Sequence, residues 1–317
     1  MNFIKNLLKY IVKFIPFKLL FLKFLAQLSP KCKKRWIFRF ASYISSMLNQ
    51  KIFIKTNMGM DIKNLYSYPL NQTFIIFGRP DYYVGERGPL ALANILVLKS
   101  DCFVDIGAHF GYFSFYIQNL SSKSNQIHLF EPVPDLFEVI EKNVKNNNFS
   151  NINLNRNAVG SKNGHVKFYK NISCPLMGSL NPEFAEGARL EEIEVESIRF
   201  SEYVIKNKLK NILVKVDIEG AEQDFIDGAR ECMDKVSYLI IEVLGEASRN
   251  GFVKKVIDEF KLNAYYINDF NLMHSADGSY KYIAPEYNWF FCNKNPSQLK
   301  ETLNSNLISV YCDGVKI

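Results

Sequence analysis

The chain has 317 residues, 48% of them hydrophobic and 22% charged, a globular composition that excludes a disordered polymer. The formal net charge of +7 points to a nucleic-acid binder only until the charges are located. Twelve lysines and arginines and no acid lie between Met1 and Met60, leaving 27 basic against 32 acidic residues, a net of −5, from Asp61 onward. No nucleic-acid partner is expected from a mildly acidic body behind a basic head.

In the head, Lys5, Lys9, Lys13, Lys18 and Lys23 interrupt every apolar run of residues 2–28 short of the eighteen or so residues of a membrane span. They also interrupt what would have to be the apolar stretch of a signal peptide. Lys5, Lys9 and Lys13 share one helix face, with Phe3, Leu7, Leu8, Ile11 and Phe14 around the rest, until Pro16. Residues 1–60 therefore read as a basic amphipathic helical extension. Two readings stand: residues 2–40 lie on an anionic membrane surface, or the apolar stripe packs on the body or on a second subunit of a homo-oligomer.

From Asp61 to Ile317 short apolar runs alternate with helical stretches, as in one α/β domain. Strands are expected at Cys102–Ile106, Gln126–Phe130, Ile152–Val159, Asn211–Val216 and Val236–Val243. Helices are expected at Phe110–Leu120, Pro134–Asn147, Ala221–Glu231 and Phe252–Phe260, with closing strands at Ala264–Ile267 and Trp289–Cys292. This alternation implies a doubly wound, mostly parallel sheet covered on both faces. Val166–Ile198 breaks the rhythm and reads as an insertion with extra antiparallel strands, its loop from Ser173 to Leu190 shaping the acceptor pocket. Six scattered cysteines without a C-x-x-C pair read as reduced, buried thiols of a cytoplasmic protein. Four histidines with no helical spacing argue against a zinc site.

The informative stretch is Asp105-Ile106-Gly107-Ala108-His109-Phe110-Gly111, where the first strand gives way to the first helix. In a doubly wound sheet a ligand meets backbone amides at that turn. Gly107 permits a tight turn and Gly111 close packing of helix on strand. A dinucleotide site would show G-x-G-x-x-G; here Ala108 and His109 fill the space of the second glycine, and Asp105 puts negative charge where phosphates would sit. An acid there suits a ligand with an ammonium group, such as the methionyl end of S-adenosylmethionine. Glu131, 26 residues after Asp105, stands where a carboxylate accepts ribose hydroxyls.

These segments resemble the FkbM family of S-adenosylmethionine-dependent methyltransferases. The likeness rests on Phe103-Val104-Asp105-Ile106-Gly107 through Gly111-Tyr112-Phe113-Ser114, on Phe130-Glu131-Pro132, and on Asn143-Val144. It rests most of all on Lys215-Val216-Asp217-Ile218-Glu219-Gly220-Ala221-Glu222, with Ile240-Ile241-Glu242-Val243 as the family's fifth strand. His109 departs from the family, which usually has Asn there. The resemblance implies a Rossmann-like class I methyltransferase fold with S-adenosylmethionine as cofactor. The expected cofactor-binding residues are Asp105, Gly107, Ala108, His109, Phe110, Gly111, Glu131, Asn157, Ala158 and Asp217.

Methyl transfer from a sulfonium is an in-line displacement assisted by loss of the acceptor's proton. Asp217, with Glu219 and His109 behind it, is the catalytic candidate; its structural alternative is a cap on the helix starting near Gly220. Glu222 reads as part of that helix's acidic first turn. Glu242 ends an apolar strand and needs a partner. His274 reads as a loop histidine, and Tyr83 and Glu86 are expected, on family analogy, over the methionyl end. The expected acceptor is a small-molecule or glycan hydroxyl, since the resemblance implies such acceptors. The competing readings are a nicotinamide-dependent oxidoreductase, disfavoured by the glycine spacing, and a membrane-associated protein with a degenerate, non-catalytic fold.

Overall fold

The computed structural model describes residues 54–55, 61–62, 87–120, 125–171, 178–180, 190–244, 246–279 and 288–317. The expected helices of residues 1–60, the expected lid residues Tyr83 and Glu86, and most of the loop from Ser173 to Leu190 lie outside this set. Val84–Ile140 with Phe149–Ile317 form one compact unit that carries the whole candidate site. The other unit, Met1–Tyr83 with Glu141–Asn148, shows a two-residue antiparallel pair, β1 (Ile54–Lys55) and β2 (Asp61–Ile62).

In chain order there follow α1 (Arg87–Leu96), β3 (Cys102–Ile106), α2 (Tyr112–Leu120), β4 (Gln126–Phe130), α3 (Pro134–Asn147), β5 (Ile152–Asn155), β6 (Ala158–Gly160), β7 (Gly164–Asn171), β8 (Gly178–Ser179) and β9 (Leu190–Arg199). Next come α4 (Phe200–Lys206), β10 (Ile212–Val216), α5 (Glu222–Ala229), β11 (Val236–Glu242), α6 (Glu246–Phe260), β12 (Asn263–Asn268), β13 (Asn271–Ser275), β14 (Asn288–Cys292), α7 (Pro296–Leu303), β15 (Ser309–Cys312) and β16 (Val315–Lys316).

Ten strands form the main sheet in the order β16-β15-β13-β12-β14-β11-β10-β3-β4-β5. The run β11-β10-β3-β4-β5 is parallel throughout. β3 and β10 are buried at every residue, as strands covered on both faces must be, and their Val, Ile and Leu content follows from that. β14 enters antiparallel between β11 and β12. That reversed strand departs from the 3-2-1-4-5-6 order of dinucleotide-binding sheets. Because β4 and β10 leave β3 on opposite sides, the strand order reverses at β3 and β10, and ligands of open α/β sheets bind at the carboxyl ends there.

On one face Val104, Ile106, Val214, Val216, Leu239 and Ile241 pack with Phe200, Phe225, Ile226, Val253 and Val256 from α4, α5 and α6. Each fully buried side chain of this size contributes about 1.5–3 kcal/mol. On the other face α2 packs on β3 and β4, and α1 on β11 and β12.

Several element boundaries differ from expectation, four of them for a visible reason. The strand expected over Ile152–Val159 is two strands in two sheets, because the chain leaves β4 after Asn155 and Ala158 pairs instead with Ser197 of β9. α2 starts at Tyr112 rather than Phe110, since Gly111 before it has φ +78°. α5 ends at Ala229 and continues as a 3-10 turn over Arg230–Lys235. α6 starts at Glu246, six residues before the apolar run at Phe252 that revealed it. The insertion is an antiparallel pair, β7 with β9, in a four-stranded sheet β6-β9-β7-β8. No helix among the described residues is long and apolar enough to cross a membrane.

Candidate active site

The turn after β3 is built by three left-handed residues: Gly107 (φ +77°), His109 (φ +55°) and Gly111 (φ +78°). A side chain at Gly107 would strike the Asp217 carbonyl of the neighbouring strand end, so this glycine is demanded both by its φ and by strand approach. At Gly111 a side chain would meet the Phe115 ring of its own helix rather than the strand. His109 adopts the left-handed conformation (φ +55°), a region in which His, like Asn and Asp, is enriched among non-glycine residues.

The turn's amides are consumed within the protein. Gly107 and Ala108 both donate to the Phe130 carbonyl, at 3.1 and 2.9 Å, and Gly111 donates to Ala108 at 2.7 Å. The His109 amide donates to Glu131 Oε2 at 2.8 Å. The expectation that backbone amides here cradle a ligand is corrected: these four are taken by strand-end and turn bonds. A pyrophosphate would find none of them, which removes the physical basis of the nicotinamide reading.

Asp105 lies beneath the turn and is 1% exposed. Its Oδ2 accepts the Ser114 amide at 3.1 Å and the Ser114 hydroxyl at 2.7 Å, holding the first turn of α2. Burial raises its carboxyl, and Lys215, directly beside it on β10, pulls the other way. Asp105 thus shapes the turn and balances a buried cation.

Glu131 is buried at the end of β4, with Oε1 accepting the Val133 amide at 2.8 Å while Oε2 holds His109. Burial lifts it to about 8, against the lowering effect of those two amides. Each carboxylate oxygen accepts more than one hydrogen bond, so Glu131 retains acceptor capacity for a diol.

Lys215, quoted in the sequence signature without a role of its own, is the cation of the site. It is 3% exposed, donates to Asp217 Oδ2 at 2.7 Å and stands 4.8 Å from the centroid of the Phe113 ring. For Asp217, burial pushes upward, but Lys215 and a hydrogen bond with Glu242 outweigh it and hold the carboxyl below its ordinary value. Glu242 accordingly has the partner its strand position demanded. A hydrogen bond between two carboxyl groups requires a proton between them.

Asp217 does not cap a helix: α5 begins at Glu222, its N-cap is Ala221 and no side chain caps it. Glu219 (φ +52°) and Gly220 (φ +97°) form the left-handed turn between them. Glu222 Oε1 accepts the Gly220 amide at 2.8 Å, and burial lifts Glu222 to about 7. Ala108 and Phe110 are buried in the turn. Asn157 is placed toward the small sheet, its amide 3.4 Å from Glu196 Oε2, and Ala158 is buried in β6. His274 is on strand β13, paired with Tyr265, rather than in a loop.

A family model described as Methyltransferase FkbM domain matches residues 105–272, a span that runs from Asp105 in β3 into the start of β13. The chain belongs to the FkbM methyltransferase family. A relative named Methyltransferase 1, from Beauveria bassiana (strain ARSEF 2860), is 25% identical over 169 residues, covering 47% of this chain and 68% of that one. Among solved structures, a methyltransferase from Geobacter sulfurreducens has a TM-score of 0.38 at 11% identity, covering 71% of this chain and 89% of that one. An O-methyltransferase from Bacillus cereus in complex with SAH has a TM-score of 0.35 at 8% identity, covering 65% and 79%. This FkbM chain is an S-adenosylmethionine-dependent methyltransferase. Its residues fit the cofactor: a buried carboxylate with spare acceptor capacity ends β4, and the four turn amides already bonded within the protein are not offered to a phosphate.

Proposed function

We propose that this protein methylates a hydroxyl of a neutral small molecule or sugar. The supporting observation is Asp217: a carboxylate held ionised by Lys215 at the carboxyl end of β10, where the strand order reverses. S-adenosylmethionine supplies an activated methyl group on a good sulfur leaving group. Glu131 accepts the ribose hydroxyls and so fixes the nucleoside. Asp217 accepts the hydrogen bond of the acceptor hydroxyl, orients its lone pair, and takes up its proton as the oxygen–methyl bond forms and the sulfur–methyl bond breaks. Lys215 keeps Asp217 ionised and stays protonated itself. The test is transfer of radiolabelled methyl to a panel of neutral sugars and diols. Labelled product is expected for wild type, and its absence from every hydroxyl while an amine is labelled would overturn the reading.

Residues 2–40 are proposed to hold the protein on an anionic cytoplasmic membrane face, on the strength of twelve basic residues unopposed by any acid up to Met60. Deleting residues 1–50 should lower binding to phosphatidylserine vesicles and leave S-adenosylhomocysteine binding intact. Unchanged vesicle binding would favour packing on the body or a second subunit.

A further inference from the structure

The far side of the site is a row of hydrogen-bond acceptors. Val216 pairs with Ile241 across β10 and β11, which puts Asp217 and Glu242 next in line, joined by their hydrogen bond. Glu242 stands directly opposite Asn288 across β11 and β14. Directly paired residues project from the same face, so Asp217, Glu242 and Asn288 form one row across three neighbouring strands. Asn288 is 3% exposed and its amide oxygen is buried without a hydrogen-bond partner among the described residues. Orphaned buried acceptors are rare and call for a physical account. Asn288 also lies outside the segment matched to the family, residues 105–272.

We propose that the Asn288 amide oxygen binds the methyl acceptor, taking a hydrogen bond from a second hydroxyl of the molecule whose first hydroxyl lies on Asp217. This rests on the hydroxyl-acceptor reading and narrows it to a ring polyol. Strands about 4.8 Å apart set the backbones of Asp217 and Asn288 roughly 10 Å apart. Two hydrogen bonds of about 2.8 Å each leave roughly 4 Å between the donor oxygens. One hydroxyl cannot satisfy both ends; two hydroxyls of one sugar-sized ring can. The row offers two carboxyl groups and an amide oxygen, so donors are welcome and an anionic group facing Asp217 is repelled. A neutral sugar meets both conditions.

The experiment uses the full chain and the variants Asn288→Leu and Asn288→Asp. Its acceptor probes are methyl glycosides of neutral hexoses and their monodeoxy analogues. In the absence of ligand the Leu variant should melt at or above the wild-type temperature, because an unpaired polar group has been removed from a buried position. S-adenosylhomocysteine affinity should stay within about twofold, while KM for the glycoside rises roughly 10–100-fold with kcat nearly kept. Asn288→Asp, which keeps an oxygen at the same place, should retain KM within a few-fold. One monodeoxy glycoside should show the same KM loss on wild type and no further loss on the Leu variant. A lowered melting temperature with unchanged KM, or a parallel loss of S-adenosylhomocysteine binding, would overturn the proposal. Wild-type transfer to glycosides with equal transfer by the Leu variant sinks this inference alone. No transfer by wild type to any glycoside sinks the sugar acceptor itself.

Discussion

At the ends of β3 and β4 each of these polar groups has a partner within the protein: four turn amides, both Glu131 oxygens and Asp105 Oδ2 all have bonds at 2.7–3.1 Å, with Glu131 keeping room for further donors. At the ends of β10, β11 and β14 a buried lysine pairs with Asp217, Asp217 is hydrogen-bonded to Glu242, and the Asn288 amide oxygen has no hydrogen-bond partner among the described residues. The first half is the side proposed to seat the nucleoside of S-adenosylmethionine. The second is unfinished without its ligand, as a surface that selects among acceptors should be. Preorganisation and open acceptor capacity thus divide between the two sides of the point where strand order reverses.

Perturbing the acceptor side at Asp217 should have the largest effect. Asp217→Asn should lower kcat by roughly 10²–10⁴-fold with S-adenosylhomocysteine binding kept; full activity at saturating substrate would contradict the assignment. Lys215→Met leaves buried acids without their cation and should destabilise by about 3 kcal/mol, the low end for a broken buried pair because the Asp217 side chain is 24% exposed. Urea denaturation measures this, and a change under about 0.5 kcal/mol would mean the pair behaves as a surface pair.

The smallest effect probes Glu222, at the start of α5 behind Asp217. Burial lifts Glu222 from 4.5 to about 7, so folding favours its neutral form. That contribution is complete below the ordinary carboxylate value and is lost as pH rises through about 7. Glu222→Gln should therefore be more stable than wild type near pH 9, by of order 1–3 kcal/mol, with the gap closing near pH 5. A gap independent of pH would show that Glu222 does not titrate in this range.

The legible parts of the molecule were those whose pattern is local. β3, β4 and α3 have the expected bounds because each is an uninterrupted run of one periodicity flanked by a turn residue. Asp105, Gly107, Glu131 and Asp217 do meet at the reversal point, since strand-end position was enough to place them. What the amides at 107–109 bind was not legible, because it depends on which carbonyl the neighbouring strand presents. Residues 152–159 read as one strand, and only tertiary pairing with β9 divides them. α7 was missed although its signal was present: Asn295, then Pro296, then Gln298 form a capping box with both bonds made. Lys215 is a lysine inside an apolar strand, a sign that a buried anion stands opposite. Asn288 carried no such sign, being one polar residue ahead of Trp289-Phe290-Phe291.

The account's central claim, that the seat at β3 and β4 holds the nucleoside of S-adenosylmethionine through Glu131, is tested most directly by calorimetric titration of S-adenosylhomocysteine across pH, with NAD as the control. Ribose hydroxyls donate to an ionised Glu131, so affinity should tighten as pH rises through about 8 and then level off. Glu131→Gln should bind roughly 10–100-fold more weakly and lose that pH dependence. NAD binding as tight as S-adenosylhomocysteine, or a Glu131→Gln variant that binds like wild type at every pH, would contradict the account.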